Sequence, residues 1–186
     1  MRTFVVVPPE PVVTWAEADD HLKLEGDEDQ KSMVEAMIAA ATGMIDGPTG
    51  WLGRAVGVQT LEARFDHFGC GVVRLRYPPI VDVTSVKVIS ETGSELTIAN
   101  DLYEQLGEKL VPAFDASWPV PQFQREAVRI RYRAGYETLP GQIRAAILLM
   151  VGDLYRFRES AASGQIGEVP MSTTVERLLA PLRVWM

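Results

Sequence analysis

Between Val128 and Arg158 the hydrophobic repeat of this chain changes from two residues to the helical period. Val128, Ile130 and Tyr132 alternate with Arg129, Arg131 and Arg133, the pattern of a strand with one apolar and one cationic face. Ala134-Gly135-Tyr136 reads as a turn. Pro140 follows where a proline in the first helical turn is tolerated. Ile143, Ala146, Ile147, Met150, Val151 and Leu154 then trace a broad apolar helical face. Arg156 and Arg158 lie near the helix end, where the helix dipole favours cations. The helical part, up to Glu159, carries no His, Cys, Ser or Lys. It reads as a packing and assembly element, which points away from an enzyme.

Upstream the order is helices and then strands. Residues 1–13 look extended and tail-like, with Pro8, Pro9 and Pro11. Thr14 opens a capping box with Glu17, and a short helix is expected to about Leu24, stopped by Gly26. Asp27 is the next N-cap candidate, with Gln30 three residues on. Met33, Val34, Met37, Ile38, Ala41 and Ile45 follow at helical spacing up to Gly47-Pro48. These two segments predict an N-terminal helical hairpin.

The period then becomes two. Leu61, Ala63 and Phe65 alternate with charged residues, and Val73, Leu75 and Tyr77 alternate with Arg74 and Arg76 before Pro78-Pro79. Val81 and Val83 are in one phase and Val86 and Val88 in the other, so a bulge or bend is expected at Thr84-Ser85. Thr92-Gly93-Ser94 reads as a hairpin turn. Short strands are expected around Tyr103 and Leu110, and loop over residues 112–125.

After the long helix, residues 160–169 are small and polar and read as a flexible link. Thr173 with Glu176 suggests a capping box for a short helix, Thr174 to Leu179, ending at Pro181. A tail from Leu182 to Met186 closes the chain. Strands joined by short turns between helical segments predict an α+β fold with a central antiparallel sheet, arranged as a single domain over residues 1–186. No internal repeat is evident.

With 186 residues, 47% of them hydrophobic, the chain can bury a real core. Ala145 to Val151 is the longest apolar run of the last third, far short of a membrane span. The start lacks the apolar core of a secretory signal, and the lone Cys70 excludes an internal disulfide framework. An intracellular soluble protein is expected. The net charge of −7 is uneven. Residues 1–50 hold three bases against ten acids, whereas residues 125–186 hold nine arginines against six acids. Solvated faces account for this, as does head-to-tail packing of identical subunits, acidic face on basic face.

Chemistry-bearing groups are sparse. Asp66, His67 and Cys70 form an incomplete metal set, and a Cys–His pair there has no third orienting group. His21 follows two acids on the short first helix. Asp27, Glu28 and Asp29 lack the spacing of a calcium loop. Gly50 to Arg54 has no Lys followed by Ser or Thr and so is no phosphate loop. Tyr136, Tyr155 and Phe157 read as core. No catalytic, cofactor or metal residues are assigned. The Arg129/Arg131/Arg133 row reads first as a plain solvated edge, and next as a partner of acids from a neighbouring strand or subunit; contact with phosphates is disfavoured by the overall acidity.

Taken in order, these pieces resemble the head–tail connector (adaptor) proteins of tailed double-stranded-DNA phages, with relatives in prophages and gene transfer agents. The resemblance spans nearly the whole chain. It rests on the helix pair from Thr14 to Ile45 with its Gly26-Asp27-Glu28-Asp29 link, and on Thr49-Gly50 leading to Gln59-Thr60. It continues through Leu75, Tyr77-Pro78-Pro79-Ile80, Val83 and Val86, then Val128 and Tyr132-Arg133-Ala134-Gly135-Tyr136. Pro140, Ile143, Ala146, Leu154-Tyr155, Arg158-Glu159 and the ending Val169-Pro170, Leu178-Leu179 and Leu182 complete it.

The resemblance implies a virion structural protein and no enzyme or cofactor. It implies a homo-oligomeric ring, typically dodecameric, mounted below the portal at the particle's neck. Such a ring joins portal to the next neck protein, a stopper or tail terminator, and lets double-stranded DNA pass without sequence-specific binding. It also implies manufacture in the host bacterial cytoplasm and no membrane contact. The C-terminal segment often docks on the portal, so Leu178, Leu179, Leu182, Arg183, Val184 and Trp185 are candidate docking residues. Arg129, Arg131 and Arg133 are candidate inter-subunit residues. Two other classes stay open: a small-ligand-binding protein or enzyme, which would show a polar pocket with a perturbed acid or histidine, and a nucleic-acid-binding module.

Overall fold

The computed structural model describes residues 1–157 and 171–185. The chain forms two compact units, each assembled from separated segments: Met1–Glu10 with Gly57–Glu137, and Pro11–Val56 with Thr138–Met186. The fold is α+β, with antiparallel sheet in the first unit and helices in the second.

The first unit is built on a five-stranded antiparallel sheet. Its strands are β1 (Arg2–Val7), β2 (Gln59–Phe65), β4 (Ile80–Ile89), β5 (Glu95–Ile98) and β8 (Val128–Ala134), in the order β1-β2-β8-β4-β5. The intervening β3 is Val73–Arg74. The arginine-faced strand β8 is central, with Tyr132 opposite Leu61 on one side and Val83 on the other. Its apolar face is core: Val128, Ile130 and Tyr132 are buried, as are Leu61, Ala63, Val86 and Val88. The Tyr132 hydroxyl donates to the Arg76 carbonyl at 2.9 Å, and burial pushes its pKa up. The register of β4 slips between Val83 and Ser85, where the change of hydrophobic phase predicts it. The β4–β5 hairpin turns through Gly93, at φ 83°.

Three expectations for this unit need correction. The opening residues are extended but not tail-like: Arg2–Val7 pairs with β2 as an edge strand. The run Val73, Leu75, Tyr77 gives only the two-residue strand β3, because Tyr77 adopts a left-handed φ of 62° before Pro78. Strand β3 does not join the main sheet. It pairs with β7 (Lys109–Pro112), which pairs with β6 (Tyr103–Leu106), making a small second sheet.

The second unit holds the helices α1 (Trp15–Leu22), α2 (Lys31–Ile45), α3 (Gly141–Arg156) and α4 (Thr173–Leu179). Thr14 caps α1 through the expected reciprocal box with Glu17, and Lys23 in the left-handed region ends it. Asp27 caps a single 3-10 turn, Glu28–Gln30, which runs into α2. Val34, Ile38, Ala41 and Ile45 of α2 are buried, as are Ile143, Ala146, Ile147, Met150 and Val151 of α3 and Val175 and Leu179 of α4. Burial of such aliphatic side chains contributes about 1.5 to 3 kcal/mol each before entropy is counted. Pro140 is the N-cap of α3 rather than a residue inside its first turn. Helix α4 is capped by Ser172, which accepts from the Val175 amide, and not by Thr173. Leu154 departs from the apolar stripe of α3 and is 37% exposed. Arg158, Glu159, Val169, Pro170 and the 160–169 link lie outside the described residues, as does Met186.

Candidate assembly interface

The three arginines of β8 meet acids of their own sheet. Arg131 donates to Glu62 at 2.8 Å, and Arg129 donates to Glu95 at 3.3 Å. Arg133 donates through Nε to Asp82 at 2.9 Å. Strand alternation puts all three on the face opposite the core, and cross-strand register brings Glu62 and Asp82 level with Arg131 and Arg133. The pairs extend into a ladder. Arg64 joins Glu62 at 2.8 Å to Glu126 at 3.0 Å, and Arg2 reaches Glu126 at 3.2 Å. Arg2 and Arg64 also lie 5.0 Å from the centre of the Phe4 ring.

Glu62 is the buried hub of this ladder, at 8% exposure. Burial alone would raise its pKa, but the hydrogen bonds from Arg131 and Arg64 outweigh that and hold the carboxyl below its ordinary value. Lys87 hydrogen-bonds Glu95 and lowers its pKa, and Arg64 does the same to Glu126. The ladder holds six cations and four acids, so it stays locally basic although every arginine of β8 is engaged.

The C-terminal candidates are tied down within the second unit. Leu179 is fully buried on the inner side of α4, so its side chain is unavailable to a partner, and that part of the docking expectation is corrected. Leu178, Leu182, Arg183 and Val184 are half-buried. The Leu182 carbonyl accepts from Arg54 Nε, and the Val184 amide donates to the Leu52 carbonyl at 2.9 Å. The Arg183 guanidinium lies between two indoles, 4.0 Å from the Trp51 ring centre and 3.8 Å from that of Trp185. Trp185 itself is 79% exposed.

The groups weighed for chemistry sit in ordinary structural roles. His67 Nδ1 accepts from the Gly69 amide at 2.9 Å, and Asp66 accepts from the Glu126 amide at 2.8 Å. Cys70 is exposed. Among the described residues no three His, Cys, Asp or Glu side chains are grouped to hold a metal ion. No described helix is long and apolar enough to cross a membrane. Tyr155 is half-buried and donates to Gln30, whereas Phe157 is exposed rather than core.

Two apolar surface features escape a reading by periodicity alone. The first is an open groove of about 440 Å³ between α2 and α3, lined by Met33, Ala36, Met37, Ala40, Leu154 and Phe157. No lining side chain titrates. The alanines at 36 and 40 repeat at the spacing of Met33 and Met37, which is the signal that could have marked the groove. The second is the loop of residues 113–125. Phe114 and Phe123 stand out from it almost wholly exposed, with Val120 nearby in sequence. Yet the loop is anchored. Trp118 stacks on Phe68 at 4.4 Å and donates to the Gly71 carbonyl, while the Gln122 amide donates to Ile89 and Pro121 bridges Ser90.

No protein-family model matches the chain, and no curated protein matches it. Solved structures do share its fold. A chain from the neck of the empty gene transfer agent (GTA) particle, computed with C6 symmetry, superposes with a TM-score of 0.71 at 23% identity, covering 100% of this chain and 97% of that one. A chain from the neck of the native GTA particle, computed with C12 symmetry, gives 0.69 at 21% identity over the same shares. A chain from the virion of the native GTA particle gives 0.71 at 21% identity, again over 100% and 97%. Over its full length, therefore, this chain has the fold of proteins found in the neck and virion of gene transfer agent particles.

Proposed function

We propose that this chain is a structural head–tail connector subunit, a single adaptor domain that forms a ring of twelve below the portal of a phage-like particle. The observation that carries the reading is end-to-end likeness to neck chains at a TM-score of 0.71. The C6 and C12 symmetries of those necks support a homo-oligomeric ring. On this reading the protein is made in the bacterial host and resides at the neck of the virion or gene transfer agent. It is not an enzyme. Its neighbours are the portal above and a stopper or tail terminator below.

In this reading Trp185 is the principal portal contact, supported by Leu178, Leu182, Arg183 and Val184. The basic ladder around Arg129, Arg131 and Arg133 faces an acidic surface of the adjacent subunit. The excess of cations over acids in the ladder supports that role. Residues 1–50, at net −7, contribute more to exposed and channel-facing surface than the Arg-rich end. Acidic surface repels passing phosphate over a Debye length of about 10 Å at 0.1 M salt, so DNA slides through without being held.

Electron microscopy of the protein mixed with portal particles tests the proposal. Twelvefold rings seated on the portal are expected. Portal particles that stay bare at saturating protein overturn it.

A further inference from the structure

Among the described residues five arginines are half-buried: Arg54, Arg64, Arg129, Arg144 and Arg183. Arg64, Arg129 and Arg144 each meet a carboxylate, that of Glu62, Glu95 and Glu17 in turn. Arg54 and Arg183 meet none among the described residues. A cation drawn partly out of water is costly unless an anion answers it. The chain is acidic, at net −7, yet it supplies no acid to these two.

The tail brings the pair together. Arg54 Nε donates to the Leu182 carbonyl, one residue before Arg183, and the Val184 amide donates to the Leu52 carbonyl at 2.9 Å. Nε of Arg54 is used within the chain, whereas its two Nη groups have no acceptor among the described residues. The Arg183 guanidinium stacks on Trp51 and Trp185, at 4.0 and 3.8 Å from their ring centres. The rings take its faces and leave its in-plane N–H edge, the edge that grips a planar carboxylate through two parallel bonds. Both guanidinium groups are thus held by the fold with anion-binding donors to spare, and this lowers the ordering cost of capturing a partner.

The setting selects a carboxylate on a protein over a phosphate on DNA. Half-buried Leu182 and Val184 flank Arg183 in sequence, and Trp185 beyond them is 79% exposed. Arginine and tryptophan among apolar side chains are the make-up of a protein–protein hot spot. A chain at net −7 repels duplex DNA as a whole.

We propose that Arg54 and Arg183 form a carboxylate-binding pair that takes acidic side chains of the portal when the tail docks. This rests on the docking reading of the tail and supplies its chemistry: an acidic portal patch with an apolar margin for Trp185.

The test uses Arg183→Lys, which keeps the charge and adds an amine that a carbodiimide joins to any carboxylate touching it. The variant is mixed with portal particles, cross-linked and digested for mass spectrometry. An amide between the introduced lysine and an acid of the portal is expected. The double variant Arg54→Gln/Arg183→Gln should bind portal about 10-fold more weakly at about 0.1 M salt and lose most of the salt dependence of the wild type, with an unchanged circular dichroism spectrum. No amide at position 183 while portal binding persists, or an amide confined to acids of the chain's own copies, overturns the pair and leaves the docking reading standing. A loss of affinity with the salt dependence unchanged marks a packing role and overturns it equally. Salt-sensitive retention of duplex DNA by the wild type, absent in the double variant, assigns the pair to phosphate instead and overturns the carboxylate partner. A wild-type chain that does not bind portal overturns the docking reading as well.

Discussion

Arg131 of β8 donates to the carboxylate of Glu62 on β2 at 2.8 Å, and the two residues are direct cross-strand partners. Glu62 is the buried member, and its other oxygen takes Arg64 at 2.8 Å. Two guanidinium groups thus share one carboxylate that water hardly reaches, and Arg64 has Glu126 as a second partner. Glu62→Ala is expected to cost about 1 to 2 kcal/mol, since Arg131 loses its carboxylate while Arg64 keeps Glu126 and both guanidinium groups reach solvent. Glu62→Gln should cost less, because an amide oxygen still accepts one bond. Urea unfolding of the two variants checks this. A loss for Glu62→Ala within error of zero would mean that the ladder contributes nothing.

The same ladder sets a pH dependence. The folded-state pKa of Glu62 is held below its ordinary value of 4.5 by its arginine hydrogen bonds. Those of Glu95 and Glu126 are lowered chiefly by hydrogen bonds from Lys87 and Arg64. A group whose pKa falls on folding binds fewer protons folded than unfolded as pH drops through that range. Its stabilisation is therefore complete above pH 4.5 and lost progressively as pH falls toward the folded value. Thermal melts are expected to be level in this respect from neutral pH to about pH 5 and to drop steeply below 4.5. In Glu62→Gln the acid-side drop should be shallower. An identical slope in variant and wild type would contradict the assignment.

What the sequence made legible was local. The Thr14–Glu17 capping box, the slip at Thr84-Ser85 and the alternation along β8 each depend on neighbours a few residues apart, and the structure has all three. The pairing of Arg2–Val7 with β2 spans some sixty residues and has no local signature, so a proline-flanked run of valines read as a tail. The alternation of β8 marks an arginine face, but which acids of the sheet meet it depends on the strand order β1-β2-β8-β4-β5, which no local pattern carries. The C-terminal tail shows the same limit. Hydrophobicity marked Leu179 and Trp185 alike, yet packing buries one and leaves the other in solvent.

Glycine substitutions should divide by backbone geometry. Gly135 sits at φ 130°, and a Cβ there would lie 2.1 Å from the Gly57 carbonyl oxygen, where the chain bridges Gly57 to Tyr136. Gly135→Ala must both move backbone and adopt an unfavourable φ, and is expected to cost more than about 3 kcal/mol. Gly43 lies on the exposed side of α2 with open space around it. Gly43→Ala removes backbone freedom from the unfolded chain and should stabilise by about 0.5 to 1 kcal/mol. Differential scanning calorimetry of both variants reads the two signs. Matching signs would show that this local geometry does not govern either site.

The anchored tail changes how portal docking should be tested. Deleting the whole segment from Thr173 would remove Val175 and Leu179 from the core, and a loss of binding would then report unfolding. Trp185 offers a cleaner probe because it is exposed and its fold contact is the stack with Arg183 at 3.8 Å. Trp185→Ala should cost about 1 kcal/mol or less in stability, the scale of an exposed cation–π contact. If Trp185 is the portal anchor, the same change should weaken binding to portal particles about 30-fold, the scale of a buried hot-spot aromatic. Arg183→Ala separates the roles. It loses contacts to both Trp51 and Trp185, so it should cost about 1 to 2 kcal/mol in stability. Its effect on portal binding should be smaller than that of Trp185→Ala. Unchanged portal affinity in Trp185→Ala, measured by sedimentation with portal particles, would remove the tail from the portal contact and leave it as the strap that holds Leu52 and Arg54 in place.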